Sequence, residues 1–532
     1  MNFDLRLPYP SRRQPIYARN VVATSQPLAT QAGIAMLQRG GNAVDAALAT
    51  AIALTVVEPC SNGIGSDLFA ILWDGRELVG LNASGRAPAA VTPARYREQA
   101  AFAERSWEAV TIPGAVSAWA ALSQRFGALP FADLFVPGIR YARDGYAVSP
   151  VVAEKWTKAV EVLPHDLGFA EHFMPRGRAP VAGELFRCEA MARTLESIAA
   201  TQGNSFYRGE LARAMVDHAK ANGALHTLSD FADHTLEWVA PLGLDYAATT
   251  VHEIPPNGQG IAALIALGIL RELDLRSLAP DSLESQHLQI EAMKLAFADA
   301  YRYVSDPSTM EIPPSALLDR GYLASRARLI DPKRAQHFGP GNPLKGGTIY
   351  LSAADEHGMM VSFIQSNYMG FGSGVVVPGY GLSMQNRGHG FSLDPRSPNC
   401  VAPGKRPFHT IIPAFLTRDG QAQMSFGVMG ANMQPQGHLQ TLVRMLDHRQ
   451  NPQAACDAPR WRFNQGLEIN VEATMNPALV AALQSRGHRV EVIDDSYQDF
   501  GAGQFIWRLG DPAVEGYVAA SDARRDGQAA AF

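Results

Sequence analysis

The spacing of hydrophobic positions changes along this chain, and the changes mark out its elements. Residues 28–38 and 42–57 carry apolar side chains at helical spacing on either side of Gly40-Gly41. Asn42 can cap the second helix, and Asp45 lies near its positive end. That helix is alanine-rich almost all round, which predicts burial between other layers, and Pro59 ends it. After Gly63 and Gly65, residues 68–73 read as a strand turning at Asp74-Gly75. From about 115 to 330 the pattern is mostly helical, broken by connections such as Pro255-Pro256-Asn257-Gly258. The strongest helix covers 283–304, closed by Asp306-Pro307, and sets His287 and Glu291 one turn apart. With no second histidine or third ligand beside them, the two read as an ordinary structural pair, and no metal is expected.

The pattern switches between 334 and 348. The stretch AQHFGPGNPLKGG holds four Gly and two Pro in 13 residues and reads as an exposed linker. Beyond it, 348–354 and 359–367 are strand-like around the turn Asp355-Glu356-His357-Gly358, a hairpin. Further strand-like runs fall at 410–417, 424–427, 467–471 and 504–509, with one helix at 440–447. A helix-rich first part followed by a strand-rich second part, without regular alternation, predicts a layered α+β sandwich rather than a parallel doubly wound sheet.

Composition narrows the function. A chain of 532 residues, 47% hydrophobic and 18% charged, has ample material for a core, as three or four average domains or as one large fold. The net charge of -5 is too small to imply a nucleic-acid or anionic-membrane partner. The first 17 residues contain no apolar signal region, and the longest apolar stretches fall short of a bilayer span, so a cytoplasmic protein is expected. Cys60, Cys188, Cys400 and Cys456 form no CxxC pair, which argues against a zinc site or a disulfide framework.

Common catalytic motifs are missing: there is no GxSxG elbow, P-loop or HExxH. Gly370-Phe-Gly372-Ser-Gly374 follows a strand but leads into Val-Val-Val-Pro378 instead of a helix. It reads as a loop whose backbone comes close to something, not as a dinucleotide site, and no cofactor is expected. Dense patches also occur at 404–410, 429–436 and 521–526.

Taken together these patches carry a resemblance. Gly40-Gly-Asn-Ala-Val-Asp-Ala-Ala47, Val57-Glu-Pro59 and Gly63-Ile-Gly65 resemble the opening of the gamma-glutamyltranspeptidase family. Pro113-Gly114, Ala142-Arg-Asp-Gly145, the 255–260 loop, Gly404-Lys-Arg-Pro407, Ala458-Pro-Arg460 and Ser521-Asp522 continue it in the same order, from about residue 20 to the C-terminus. The resemblance implies an N-terminal nucleophile hydrolase with a four-layer αββα sandwich, made as a precursor that cuts itself before a threonine. The matching position is Thr348, at the start of the hairpin, with Gly346-Gly347 supplying an unhindered carbonyl for attack. A freed N-terminal threonine can use its own amine as general base, which accounts for the missing triad. The cut would give a large subunit, 1–347, and a small one, 348–532, that stay together as a heterodimer sharing one sandwich; pairing of two such heterodimers is left open.

Further roles follow position by position. Ser366 lies where a second hydroxyl supports the nucleophile, and Gly430 and Ala431 where two backbone N–H groups form the oxyanion hole. Tyr368 falls where the family has a substrate-binding asparagine, with Asn367 one place earlier and so on the other face of the strand. Ser84 stands at the position of the family's carboxylate-binding arginine, with Arg86 two residues later. His409 and Thr410 replace a serine pair, and His389-Gly390 replaces two acidic residues, so the charge partner of a substrate ammonium is missing. Arg86, Asn367, Arg387, His409 and Thr410 better suit a small-molecule substrate with a carboxylate and no amine, as in the oxamate amidohydrolases of the same superfamily. Competing readings are gamma-glutamyl transfer or glutathione hydrolysis, a beta-lactam side-chain acylase, and an unprocessed binding or scaffold protein.

Overall fold

The structure, a computed structural model, describes residues 13–338, 347–494 and 499–532, with Gly347 described by its backbone alone; Gly346 and most of the glycine-rich linker lie outside the described residues. Two seven-stranded antiparallel sheets form its centre. One runs, in spatial order, Ile16–Ala18, Tyr517–Ser521, Ala502–Arg508, Gln421–Met429, Ala414–Arg418, Thr249–Glu253 and Leu242–Tyr246. The other runs Gln528–Ala531, Val21–Thr24, Gly347–Ala354, Met360–Tyr368, Asp67–Trp73, Leu78–Ala83 and Glu237–Val239. Each sheet takes strands from both sides of residue 347.

Strand alternation sorts the apolar side chains into three cores, and three cores between layers make a four-layer αββα sandwich. In Asp67–Trp73, Leu68, Ala70 and Leu72 pack outward against helices, while Phe69, Ile71 and Trp73 fill the space between the sheets. Gly347–Ala354 does the same, with Ile349, Leu351 and Ala353 outward and Tyr350 and Ala354 inward. The outer face of the first sheet is covered by the wholly buried helix Gly260–Leu270 and by Leu283–Tyr303 and Met433–Leu442.

The helix at the N-terminal end follows its sequence closely. Asn42 accepts from the amides of Val44 and Asp45, and the Asp45 carboxylate accepts from the Asn42 amide, so these three donors at the helix start are satisfied. Every residue of Ala43–Val57 is buried, as its uniform apolarity predicts. Two readings need correction. The helix placed at 440–447 begins at Met433, because Pro435 sits in the first turn where its missing N–H costs nothing; a π-helical turn, Val443–Asp447, ends it. Two more helices, Pro452–Asp457 and Pro477–Ser485, lie in the part read as strand-rich. In turn, the helix-rich part supplies short strands, such as Val21–Thr24 and Leu78–Ala83, whose four to six residues carry too little periodicity to stand out. Among the described residues no helix is long and apolar enough to cross a membrane, and the four cysteines are unpaired.

Candidate active site

The hairpin sets the first pair of groups. Gly347–Ala354 and Met360–Tyr368 pair antiparallel, Ile349 opposite Gln365, with a register shift between Gly347 and Ile349 that falls on Thr348. Thr348 Oγ1 lies 3.2 Å from Ser366 Oγ, and both residues are buried. The Tyr368 amide donates to Ser366 Oγ at 2.7 Å, which fixes that oxygen. Thr348 and Ser366 share the strand faces of Tyr350 and Ile364, which pack between the sheets, and strand Asp67–Trp73 places Asp67 directly opposite Ser366.

The facing sheet brings the oxyanion candidates. Ser352 Oγ donates to Ser425 O at 3.3 Å, and the Tyr350 ring covers Gly427, where any side chain would collide with it. The same two-residue step along both strands carries Thr348 toward Met429 and Gly430. Gly430 and Ala431 have positive φ values of 120° and 52°, which turn the chain sharply out of the strand. Among the described residues neither amide N–H has a hydrogen-bond acceptor, so two donors remain available for a developing oxyanion. Gln259 braces this turn, donating to Ala431 O at 2.9 Å and to Thr410 O at 2.6 Å.

Charge enters through Arg387. Its Nη1 donates to Thr410 Oγ1 at 2.8 Å and its guanidinium carbon lies 4.8 Å over the Tyr368 ring. The residue is 2% exposed, and Nε and Nη2 have no hydrogen-bond partner. Burial lowers its pKa to about 10, which still leaves it cationic at neutral pH. His409 Nε2 lies 3.1 Å from Asp67 Oδ2, while the Ile411 amide donates to His409 Nδ1 at 3.4 Å. That pattern assigns the proton to Nε2. Burial, then the nearby Arg387 charge, lowers the His409 pKa to about 4, so the ring is neutral.

Thr348, Ser366, Gly430, Ala431, Arg387, His409 and Thr410 are thus arranged around one inter-sheet region, but two other predicted binders are engaged elsewhere. Arg86 donates to Asp306 at 3.3 Å, Glu237 at 3.0 Å and Gly404 O at 3.1 Å. Asn367 turns toward the helical layer, as its place on the strand requires, and accepts from Ser66 Oγ at 2.7 Å. His389 Nδ1 meets Phe102 O at 3.0 Å. The 370–374 loop does come close to backbone: Arg105 donates to Gly370 O at 2.9 Å and to Gly372 O, and a side chain at Gly372 would strike Met384 O.

Sequence reasoning missed Asp67 and Gln259. Both lie in or beside segments that carried the resemblance, but nothing in one sequence pairs Asp67 with a histidine 342 residues away. It also found no second histidine for His287 and Glu291; His488 supplies it, its Nε2 2.9 Å from His287 Nδ1. Glu291 there is already neutralised by Lys294 at 2.7 Å.

Comparison with known proteins follows the same lines. The sequence profile of the gamma-glutamyltranspeptidase family matches residues 29–532. A glutathione hydrolase-like YwrD proenzyme of Bacillus subtilis (strain 168) is 36% identical over 492 residues, 90% of this chain and 93% of its own. An oxamate amidohydrolase proenzyme of Klebsiella pneumoniae subsp. pneumoniae is 35% identical over 519 residues, 95% of this chain and 97% of its own. The crystal structure of a cephalosporin acylase from Bacillus halodurans matches with a TM-score of 0.95 and 48% identity, covering 100% of this chain and 99% of its own.

Proposed function

The chain belongs to the gamma-glutamyltranspeptidase family, and from that premise we propose that it cuts itself between Gly347 and Thr348 and then hydrolyses the amide of a small, oxamate-like carboxylate. The observation that carries the substrate reading is Arg387, a buried guanidinium with Nε and Nη2 unmatched; the Asp67 charge favours its cationic form, but no carboxylate among the described residues forms an ion pair with it. A desolvated cation in that state is costly unless a ligand completes it, and a planar carboxylate fits the guanidinium fork. Thr410, fixed on Arg387 Nη1, stands beside it.

In the intact chain the Thr348 nitrogen belongs to the peptide bond with Gly347. Attack by Thr348 Oγ1 on the Gly347 carbonyl moves the acyl group from nitrogen to oxygen; water then splits the ester and leaves a free Thr348 amine. In turnover that amine takes the Oγ1 proton as Oγ1 attacks the substrate amide carbon, and the Gly430 and Ala431 N–H groups hold the resulting oxyanion. The C–N bond breaks, the amine returns the proton to the leaving nitrogen, and ammonia departs. Water attacks the threonyl ester, giving its proton to the amine, and the acid leaves as Oγ1 is protonated again.

A gamma-glutamyl substrate would need an anion for its ammonium. Asp67 is the carboxylate on hand, and both its oxygens are engaged, Oδ2 with His409 and Oδ1 with the Gly114 amide at 3.2 Å. A second reading, removal of a carboxylated side chain from a larger amide such as a beta-lactam, draws on the 48% identity with the cephalosporin acylase. The two fragments would remain joined as a heterodimer, since each sheet interleaves strands from both.

Mature enzyme should release ammonia from oxamate and its short homologues. Turnover of a gamma-glutamyl anilide alone, accelerated by glycylglycine, would overturn the reading.

A further inference from the structure

We propose that Tyr368 sets the length of the acyl group, acting as the spacer between the nucleophile and the carboxylate-binding guanidinium. The inference rests on the function proposed above. Tyr368 is joined to both ends of the site: its amide holds Ser366 Oγ at 2.7 Å, that oxygen lies 3.2 Å from Thr348 Oγ1, and its ring lies 4.8 Å from the Arg387 guanidinium carbon. An acyl chain attached at Thr348 and ending in a carboxylate on Arg387 would span two groups that Tyr368 links, one through its amide and Ser366 and the other through its ring.

Two features set Tyr368 apart from an ordinary core tyrosine. Its φ is +79°, a left-handed conformation that an aromatic residue adopts only where its surroundings hold it. Its hydroxyl is buried with no hydrogen-bond partner, which a buried phenol normally finds. The ring is therefore retained at a conformational cost and an unmet polar group, and what its position provides is a fixed wall of aromatic width beneath the cation. A pocket shaped by such a wall discriminates by about 10- to 200-fold per methylene.

Two matched series of 4-nitroanilides test it on self-cleaved enzyme, one of ω-carboxyacyl groups from malonyl to adipyl and one of plain acyl groups of equal length. The intact site should favour the shortest carboxylated member. Tyr368→Ala should move the optimum to glutaryl or longer, changing the glutaryl-to-malonyl ratio of kcat/KM at least tenfold, while Tyr368→Phe, which keeps the ring, should retain the original order. If Tyr368→Ala fails to cut itself, Tyr368→Leu is read in the same way. An optimum left at its original length in Tyr368→Ala or Tyr368→Leu, in whichever series is turned over, overturns the spacer role. Preference of the unsubstituted enzyme for the plain series would instead overturn the carboxylate reading.

Discussion

His409 donates its Nε2 proton to Asp67 Oδ2 across 3.1 Å, and both side chains are fully buried. Each His409 nitrogen is thereby used, one on Asp67 and the other on the Ile411 amide, so the ring ties Asp67 to the Ile411 amide.

The pH dependence of stability follows from this pair. His409 titrates at about 4 in the fold and near 6.5 when unfolded. Between those values the unfolded state binds the extra proton, so the contribution is complete above pH 6.5 and is lost as pH falls toward 4. Removing the group should flatten that part of the curve by up to about 1.4 kcal/mol per pH unit. Chemical unfolding of His409→Gln beside the unsubstituted protein from pH 7 to 4 measures this; parallel curves would contradict it.

Thr348→Ala should remain one chain of 532 residues on a denaturing gel, where the unsubstituted protein should resolve into 1–347 and 348–532. Two fragments from the alanine variant would show that another group makes the cut.

Arg387→Met should separate activity from stability. Loss of a charge-assisted contact of about 1.5–3 kcal/mol predicts a fall in kcat/KM of roughly 10- to 150-fold on a carboxylated amide. Removing a buried cation with two unmet donors should leave the melting temperature unchanged or higher. A variant less stable and equally active would reverse both assignments.

Gly430 and Ala431 should respond in opposite ways. At Gly430 φ is +120° and an added Cβ would lie 3.0 Å from Gly501 Cα, so Gly430→Ala should cost about 1–3 kcal/mol and most of the turnover. Ala431, at φ +52°, should accept glycine with turnover retained. Denaturant unfolding and single-substrate kinetics read both.

What the sequence made legible was local or carried by resemblance. The Asn42 cap, the buried 43–57 helix and the hairpin after 348 follow from neighbouring residues, and each forms close to its expected bounds. Thr348, Ser366 and Thr410 could be named from position in a family pattern, and Arg387 from the suitability of a guanidinium for a carboxylate. The cross-sheet geometry could not: Asp67 facing His409, Gln259 bracing Ala431 and Arg86 drawn off to Asp306 and Glu237 depend on which strands adjoin, and spacing along one chain does not encode that. Short strands such as Val21–Thr24 escaped because their partners, not their periodicity, make them strands.

The interleaving of strands in both sheets gives maturation a direction in time. Val21–Thr24 is hydrogen-bonded on one side to 351–354 and on the other to 528–531, so neither fragment can complete a sheet alone. The uncut chain closes these pairings as an intramolecular search, with the linker supplying a high local concentration; once cut, the same search becomes a meeting of two molecules. Mature enzyme diluted from denaturant should therefore regain structure at a rate that rises with protein concentration, while the Thr348→Ala chain refolds at one rate whatever its concentration. The cut works as a ratchet: the connection that assembles the fold is spent in making the catalyst.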